Sequence, residues 1–220
     1  MTTTGNLPGT DAARHGRGDA DLTIMLAAHD AFRRDLTRLV RTASAADLSD
    51  PARRRSVAAG WELFKHQLHL HHTAEDEVIW PALRPRLAHS EHALSVLAAM
   101  EEEHERIDPL LAAVDTAFAQ RGDNSLADVI DALVSTLTGH LGHEERDGLP
   151  LIGVALTAAE WRRVGFKIAR RNGMSEGGEM FAWILDGADG NTAALRTLPP
   201  PLRLLYKAVW KPRLDKTPRW

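Results

Sequence analysis

Seven residues in four separate stretches decide what this chain can fold into: His29; His71, His72 and Glu75; His104; and His140 with Glu144. Each stretch carries a helical repeat of apolar residues, with the histidine or glutamate on its apolar side. The first reads through Leu22, Met25, Leu26, His29, Phe32, Leu36 and Val40, the second through Val57, Trp61, Phe64, Leu68, Glu75, Val78 and Ile79. The third reads through Leu94, Leu97, Met100, His104, Ile107 and Leu111, the fourth through Val129, Leu133, Leu137, His140 and Glu144. A polar or charged side chain buried without a partner is costly. Four helices that all accept that cost are most simply read as building one shared site.

The spacing predicts an all-α protein: an up-down-up-down four-helix bundle over residues 21–155, a helical C-terminal extension over 156–220, and a disordered lead-in over 1–20. Asp50-Pro51 reads as an N-cap followed by proline at the first helical position. Pro81 and Pro85 bend or close the second helix, Ser90 and Glu91 open the third, and Pro109 is expected to kink it. Residues 121–125 read as a turn, and Gly148-Leu149-Pro150 is expected to end the fourth helix. Beyond it, Thr157 caps a shorter helix over 157–171 that Asn172-Gly173 stops. Short helical pieces follow around 178–186 and 191–197, then a break at Pro199-Pro200-Pro201. No internal repeat stands out.

On a helix each residue advances about 100°. With His71 at the origin, Glu75 lies near 40° and His72 near 100°, so two imidazoles flank a carboxylate on the buried side. His66 and His69 fall away from that arc and are expected in solvent. His143 sits at the edge of the fourth helix's face, and Asp147 returns to it. His15 lies among small polar residues and is incidental. Alone, each histidine reads as an ordinary core or surface residue; together they read as a metal site.

Composition narrows the chemistry. The chain has no cysteine, which removes disulfides, Fe–S clusters and thiolate zinc and leaves imidazole and carboxylate donors. Seven such donors are too many for one tetrahedral zinc. They suit two six-coordinate ions bridged by carboxylates and a solvent oxygen, with iron preferred over manganese or zinc. The ferritin-like pattern of Glu from two helices and Glu-x-x-His from two others is different. A net charge of -3 favours neither nucleic acid nor membrane as a partner, no run approaches the length of a membrane span, and no secretory h-region opens the chain. The expected location is cytoplasmic.

These motifs resemble the hemerythrin-like proteins of the HHE cation-binding family. The resemblance rests on His29, on HHTAEDEVIWPAL with His71, His72 and Glu75, on His104 in EEEHERI, and on His140 and Glu144 in HLGHEE. It covers roughly residues 20–155. It implies a four-helix bundle around a non-heme di-iron centre, oxo- or hydroxo- and carboxylate-bridged, with Glu75 and Glu144 as bridges. It also implies chemistry with O2, peroxide or nitric oxide. The chain departs from the oxygen carriers of the family at two places. Met100 stands one turn before His104 where they have histidine, and His71 and His72 are adjacent where they have one. That points from oxygen storage toward a reactive centre, of which catalase-like peroxide turnover is one version. The alternative is a protein that senses iron, oxygen or nitric oxide and signals through its extension. The aromatic residues of the extension are expected to pack on the bundle or on a second subunit in a homodimer.

Overall fold

The computed structural model describes residues 20–44, 50–119, 125–187 and 192–220. His15, most of the expected lead-in and most of the turn at 121–125 lie outside the described residues. Within them the fold is all-α, with no strand. The helices are α1 (Thr23–Ser44), α2 (Pro51–Ala74), α3 (Trp80–Leu83), α4 (Glu91–Ala119), α5 (Ser125–His143) and α6 (Leu149–Ala155), then α7 (Ala158–Ile184), α8 (Thr192–Thr197), α9 (Pro200–Leu205) and α10 (Lys211–Asp215). None is long and apolar enough to cross a membrane.

The starts obey local rules. Asp50 caps α2 by accepting from the Ala52 amide, with Pro51 at the first position. Ser90 Oγ accepts from Ala93 N at the head of α4. Thr157 and Glu160 form a reciprocal capping box on α7, the arrangement that satisfies two otherwise orphan amides. The expected stop at Asn172-Gly173 is a break inside α7, where Gly173 takes φ 80° and ψ 175°, a backbone conformation that favours glycine. Pro109 is carried inside α4, which runs unbroken from Glu91 to Ala119.

Gly148-Leu149-Pro150 does not end the fourth helix. The chain passes through a widened π-helical turn, Glu144–Gly148, and continues as α6. The same happens at Glu75–Ile79 before α3 and at Tyr206–Trp210 before α10. All three widened turns stop one residue short of a proline that follows in the sequence: Pro81, Pro150 and Pro212. Proline brings no amide hydrogen, and its ring crowds the carbonyl four residues back. Here that crowding is relieved by shifting the preceding bond to the carbonyl five residues back: Trp80 N to Glu75 O, Leu149 N to Glu144 O, Lys211 N to Tyr206 O.

α1 packs on α2 and α5, and α4 packs on α5. α2 and α4 run antiparallel, since Trp61 in the middle of α2 meets Asp115 near the end of α4 while Asp76, just past the end of α2, meets His104 further back in α4. The core of the bundle has two apolar layers, and a third cluster gathers Ala182, Leu198, Tyr206 and Leu214 of the extension. One holds Phe32, Leu36, Trp61, Phe64, Leu68, Ile107, Leu133 and Leu137. The other holds Leu22, Ile79, Trp80, Leu97, Met100, Leu149 and Ile152. Ala20, read as the end of a disordered lead-in, is 1% exposed and belongs to the second layer.

The extension packs on the bundle. Trp183 is buried against Phe32 with ring centroids 4.8 Å apart, and its Nε1 donates to Asp35 Oδ2 at 2.7 Å. Asp35 is itself buried in α1 and takes Arg34 Nε at 2.8 Å and Arg38 Nη1 at 2.9 Å. Arg34 also donates to the carbonyls of Trp183 and Asp186. Trp220 lies on α2 at Gly60, where a Cβ would come within 2.6 Å of its ring, and Trp210 lies as closely on Gly178 of α7.

Trp183→Ala should remove both a core aromatic and the donor that satisfies Asp35. A loss of about 3–5 kcal/mol is expected, read as a lower midpoint in urea denaturation followed by circular dichroism. An unchanged midpoint would mean that the extension does not stabilise the bundle.

Candidate metal centre

The seven residues meet in the seam between the two apolar layers. α1 supplies His29, α2 supplies His71 and His72, and the widened turn after it supplies Glu75. α4 supplies His104, α5 supplies His140, and the turn after α5 supplies Glu144. All but His71 are buried, and the His71 side chain is only 9% exposed. His66 and His69 are exposed on the outer face of α2.

The donors fall into two groups. His72, His104 and His140 form one; His29, His71, Glu75 and Glu144 form the other; within each, one donor atom per residue lies within 4.8 Å of the rest. The rings of His72 and His104 stack at 3.9 Å, with His140 edge-on to both. Glu75 spans the groups, its Oε1 3.1 Å from His71 Nε2 and its Oε2 3.4 Å from His104 Nε2. Glu144 Oε2 lies 3.1 Å from His29 Nε2. Asp147 stands outside both groups, beside His143 and Arg146.

Three carboxylates off this centre hold the imidazoles by their other nitrogen. Glu145 accepts from His29 Nδ1 at 2.9 Å and is itself held by Arg33 at 2.7 Å. Asp76 accepts from His104 Nδ1 at 2.9 Å. Glu103 accepts from His140 Nδ1 at 2.9 Å and from His143 Nδ1 at 2.8 Å. A carboxylate only accepts when ionised, so each of these Nδ1 atoms carries the proton and Nε2 is turned inward. Helical spacing alone singles out none of these three residues.

Helical spacing also passes over a repeat. Aligning HHTAEDEVIWPAL from His71 with HLGHEERDGLPLI from His140 matches His71 to His140, Glu75 to Glu144, Asp76 to Glu145 and Pro81 to Pro150. The partners cross over: the acid after α2 holds the histidine of α4, and the acid after α5 holds the histidine of α1. His72 matches Leu141 and breaks the correspondence. It brings a third imidazole to the group that contains His104. Met100, where a histidine is expected in the oxygen carriers, is fully buried beside Gly148 and Glu144.

The fit to cations rests on unsatisfied atoms. Nε2 of His29, His71, His72, His104 and His140 and both oxygens of Glu75 and Glu144 are buried with no hydrogen-bond partner. Folded proteins leave few such atoms, because each forfeits its hydration. Nine of them converging on one seam fit the role of ligands to bound metal cations.

Charge in the metal-free pocket is arranged to limit that cost. Burial and the neighbouring Glu144 push Glu75 well above the usual carboxylate range. Burial also opposes the charge on Glu144, but His29 outweighs it and holds the group at about 2. For His29, burial is outweighed by Glu144 and Glu145, which raise it to about 9. Burial drives His71 and His72 well below the ordinary imidazole value and lowers His140 as well.

A family model described as the hemerythrin HHE cation binding domain matches residues 20–152, more than half of the chain. No curated protein and no solved structure matches.

The raised value of His29 gives a sign to the metal-free protein. Its stabilising charge is fully present below the unfolded histidine value of about 6.5 and is lost as pH rises through about 9. Glu75, raised by burial and by Glu144, acts in the same direction. After chelation, the thermal midpoint should therefore fall between about pH 6.5 and 9, and His29→Gln should flatten that fall. A midpoint rising over this window would contradict the assignment.

Proposed function

The chain belongs to the hemerythrin HHE cation-binding family, and from that premise we propose that it holds a non-heme di-iron centre that reacts with a small oxidant. In this reading α1, α2, α4 and α5 are the four helices of an up-down-up-down bundle. His29 and His71 would hold one ion, and His72, His104 and His140 the other. Glu75 and Glu144 would bridge them. The observation that carries the proposal is the set of nine buried, unpartnered donor atoms aimed into one seam.

When bound, a pair of iron ions supplies electron transfer to and from O2, peroxide or nitric oxide. The chain's own residues set the conditions. Asp76, Glu103 and Glu145 fix imidazole orientation and tautomer, a contribution of outer partners that commonly changes affinity or activity about 10–100-fold. The apolar layers on either side keep bulk water from the seam and lower its dielectric. Three imidazoles on one side against two on the other would make two bound ions unequal. The enzymatic form we favour is peroxide turnover of the catalase type in the cytoplasm.

A sensing role has its own support. Trp183 of the extension packs on Phe32, and Phe32 packs on His71 at 5.2 Å. Phe32 is thus the single side chain between His71 and the extension, and a shift of His71 on metal binding would be passed through it.

Purified chain should carry about two irons with a near-ultraviolet band that shifts on adding azide. Glu75→Ala and His104→Ala should each lower the iron content, and His104→Ala should abolish oxygen evolution from peroxide. Less than one metal per chain, or spectroscopically silent zinc, sinks the di-iron reading. Absent peroxide turnover, together with proteolysis of the extension that changes on oxidant addition, selects the sensor.

A further inference from the structure

The net charge of -3 conceals a segregation. Residues 1–155 carry fifteen Lys and Arg against twenty-four Asp and Glu, while residues 156–220 carry twelve against six. The densest basic stretch is the first half of α7, where Arg162, Arg163, Lys167, Arg170 and Arg171 fall within ten positions. No acid stands between Glu160 and Glu176.

The helix divides these residues cleanly. Trp161, Val164 and Ile168 share one side and pack against the layer that contains Ile79, Trp80 and Leu97. The opposite side centres on Phe166. Arg162, Arg163 and Arg170 lie within about 60° of it and Lys167 at about 100°. Phe166 is 74% exposed, and the four cations around it are exposed too. Arg171 pairs with Glu77; the other four have no partner among the described residues. The helix is held firmly behind this face by its capping box and by Trp161 Nε1 donating to Asp21 O at 2.9 Å.

We propose that this face of α7 docks the protein on an anionic membrane surface, with Arg162, Arg163, Lys167 and Arg170 on lipid phosphates and Phe166 set into the interface. Charge complementarity selects the occupant. A second copy related by a two-fold axis through this face would set four unpaired cations against four more. A nucleic-acid duplex would take the cations on its phosphates and leave the central Phe166 without an apolar partner. A flat anionic bilayer meets both at once, because aromatic rings settle at the headgroup level while cations stay on the phosphates. The inner face of α7 is committed to the bundle, so docking is peripheral and reversible. It does not depend on the metal centre.

The test uses the full chain and flotation with vesicles of phosphatidylcholine alone or mixed with phosphatidylglycerol. The mixed vesicles should be bound and the neutral ones not, with binding weakened by salt. Each cation near an anionic leaflet is worth about a fivefold change in affinity, so Arg163→Gln with Arg170→Gln should weaken binding about 25-fold. Phe166→Ala should weaken it while leaving the salt dependence unchanged. Because the chain has no cysteine, Ala169→Cys on the same face takes a single environment-sensitive dye, whose emission should shift to the blue on mixed vesicles. Circular dichroism checks that each variant remains folded. No flotation, equal flotation with neutral vesicles, or flotation indifferent to these variants overturns the proposal. So does displacement from mixed vesicles by a DNA or RNA oligonucleotide that binds the same face more tightly.

Discussion

The fold is organised around the burial of two carboxylates and five imidazoles between apolar layers. Burying two like charges a few ångströms apart with nothing to balance them is among the most costly things a protein core can do. The electrostatics limit that cost: burial and Glu144 favour the neutral form of Glu75, while His29 and Glu144 favour each other's charged forms. That leaves nine atoms without hydrogen bonds. Cations would satisfy them all, so the same constraint that strains the metal-free core defines its ligand.

The widened turns are how the chain meets that constraint with helices. Glu75 and Glu144 each open such a turn, and Asp76 and Glu145 come next. A wider turn rotates consecutive side chains through a smaller angle, so two adjacent acids can serve one site, the first facing inward and the second reaching an imidazole on another helix. Such turns cluster at functional sites in general. Here their cause is visible in the covalent chain, since Pro81 and Pro150 each stand six positions after the glutamate. The turn at Tyr206–Trp210 shows that the proline rule operates away from any site, which separates the local cause from the functional use.

How far the sequence could be read follows from the same physics. Helical spacing was enough to bring His29, His71, His72, Glu75, His104, His140 and Glu144 to one seam and to send His66 and His69 outward, because burial on a helix face is periodic. It was also enough for the caps at Asp50, Ser90 and Thr157, which depend on neighbours three residues away at most. Periodicity failed where the helix departs from 3.6 residues per turn, so α6 was lost behind Pro150. It failed again for Asp76, Glu103 and Glu145, whose partners sit on other helices and whose charge made them look like ordinary surface residues. The repeat from His71 and from His140 held the missing signal, an acid directly after each inward glutamate, but only four matched positions within eleven residues carry it and hydrophobic self-similarity does not register them.

The extension is not an appendage to this centre. Asp35 needs Trp183 and both Arg34 and Arg38 to be satisfied in the core, and Arg34 in turn takes carbonyls that exist only when α7 ends where it does. A buried carboxylate with partners from two segments makes their docking cooperative, because separating them strands a charge. The ring of Trp183 then lies one aromatic residue from His71. The other half of α7 uses its apolar side on the opposite layer, around Trp80 and Leu97, and turns its cations outward. The two halves of α7, on either side of the break at Gly173, thus each touch one of the layers that enclose the metal-binding seam, and the first half presents a charged face to the exterior.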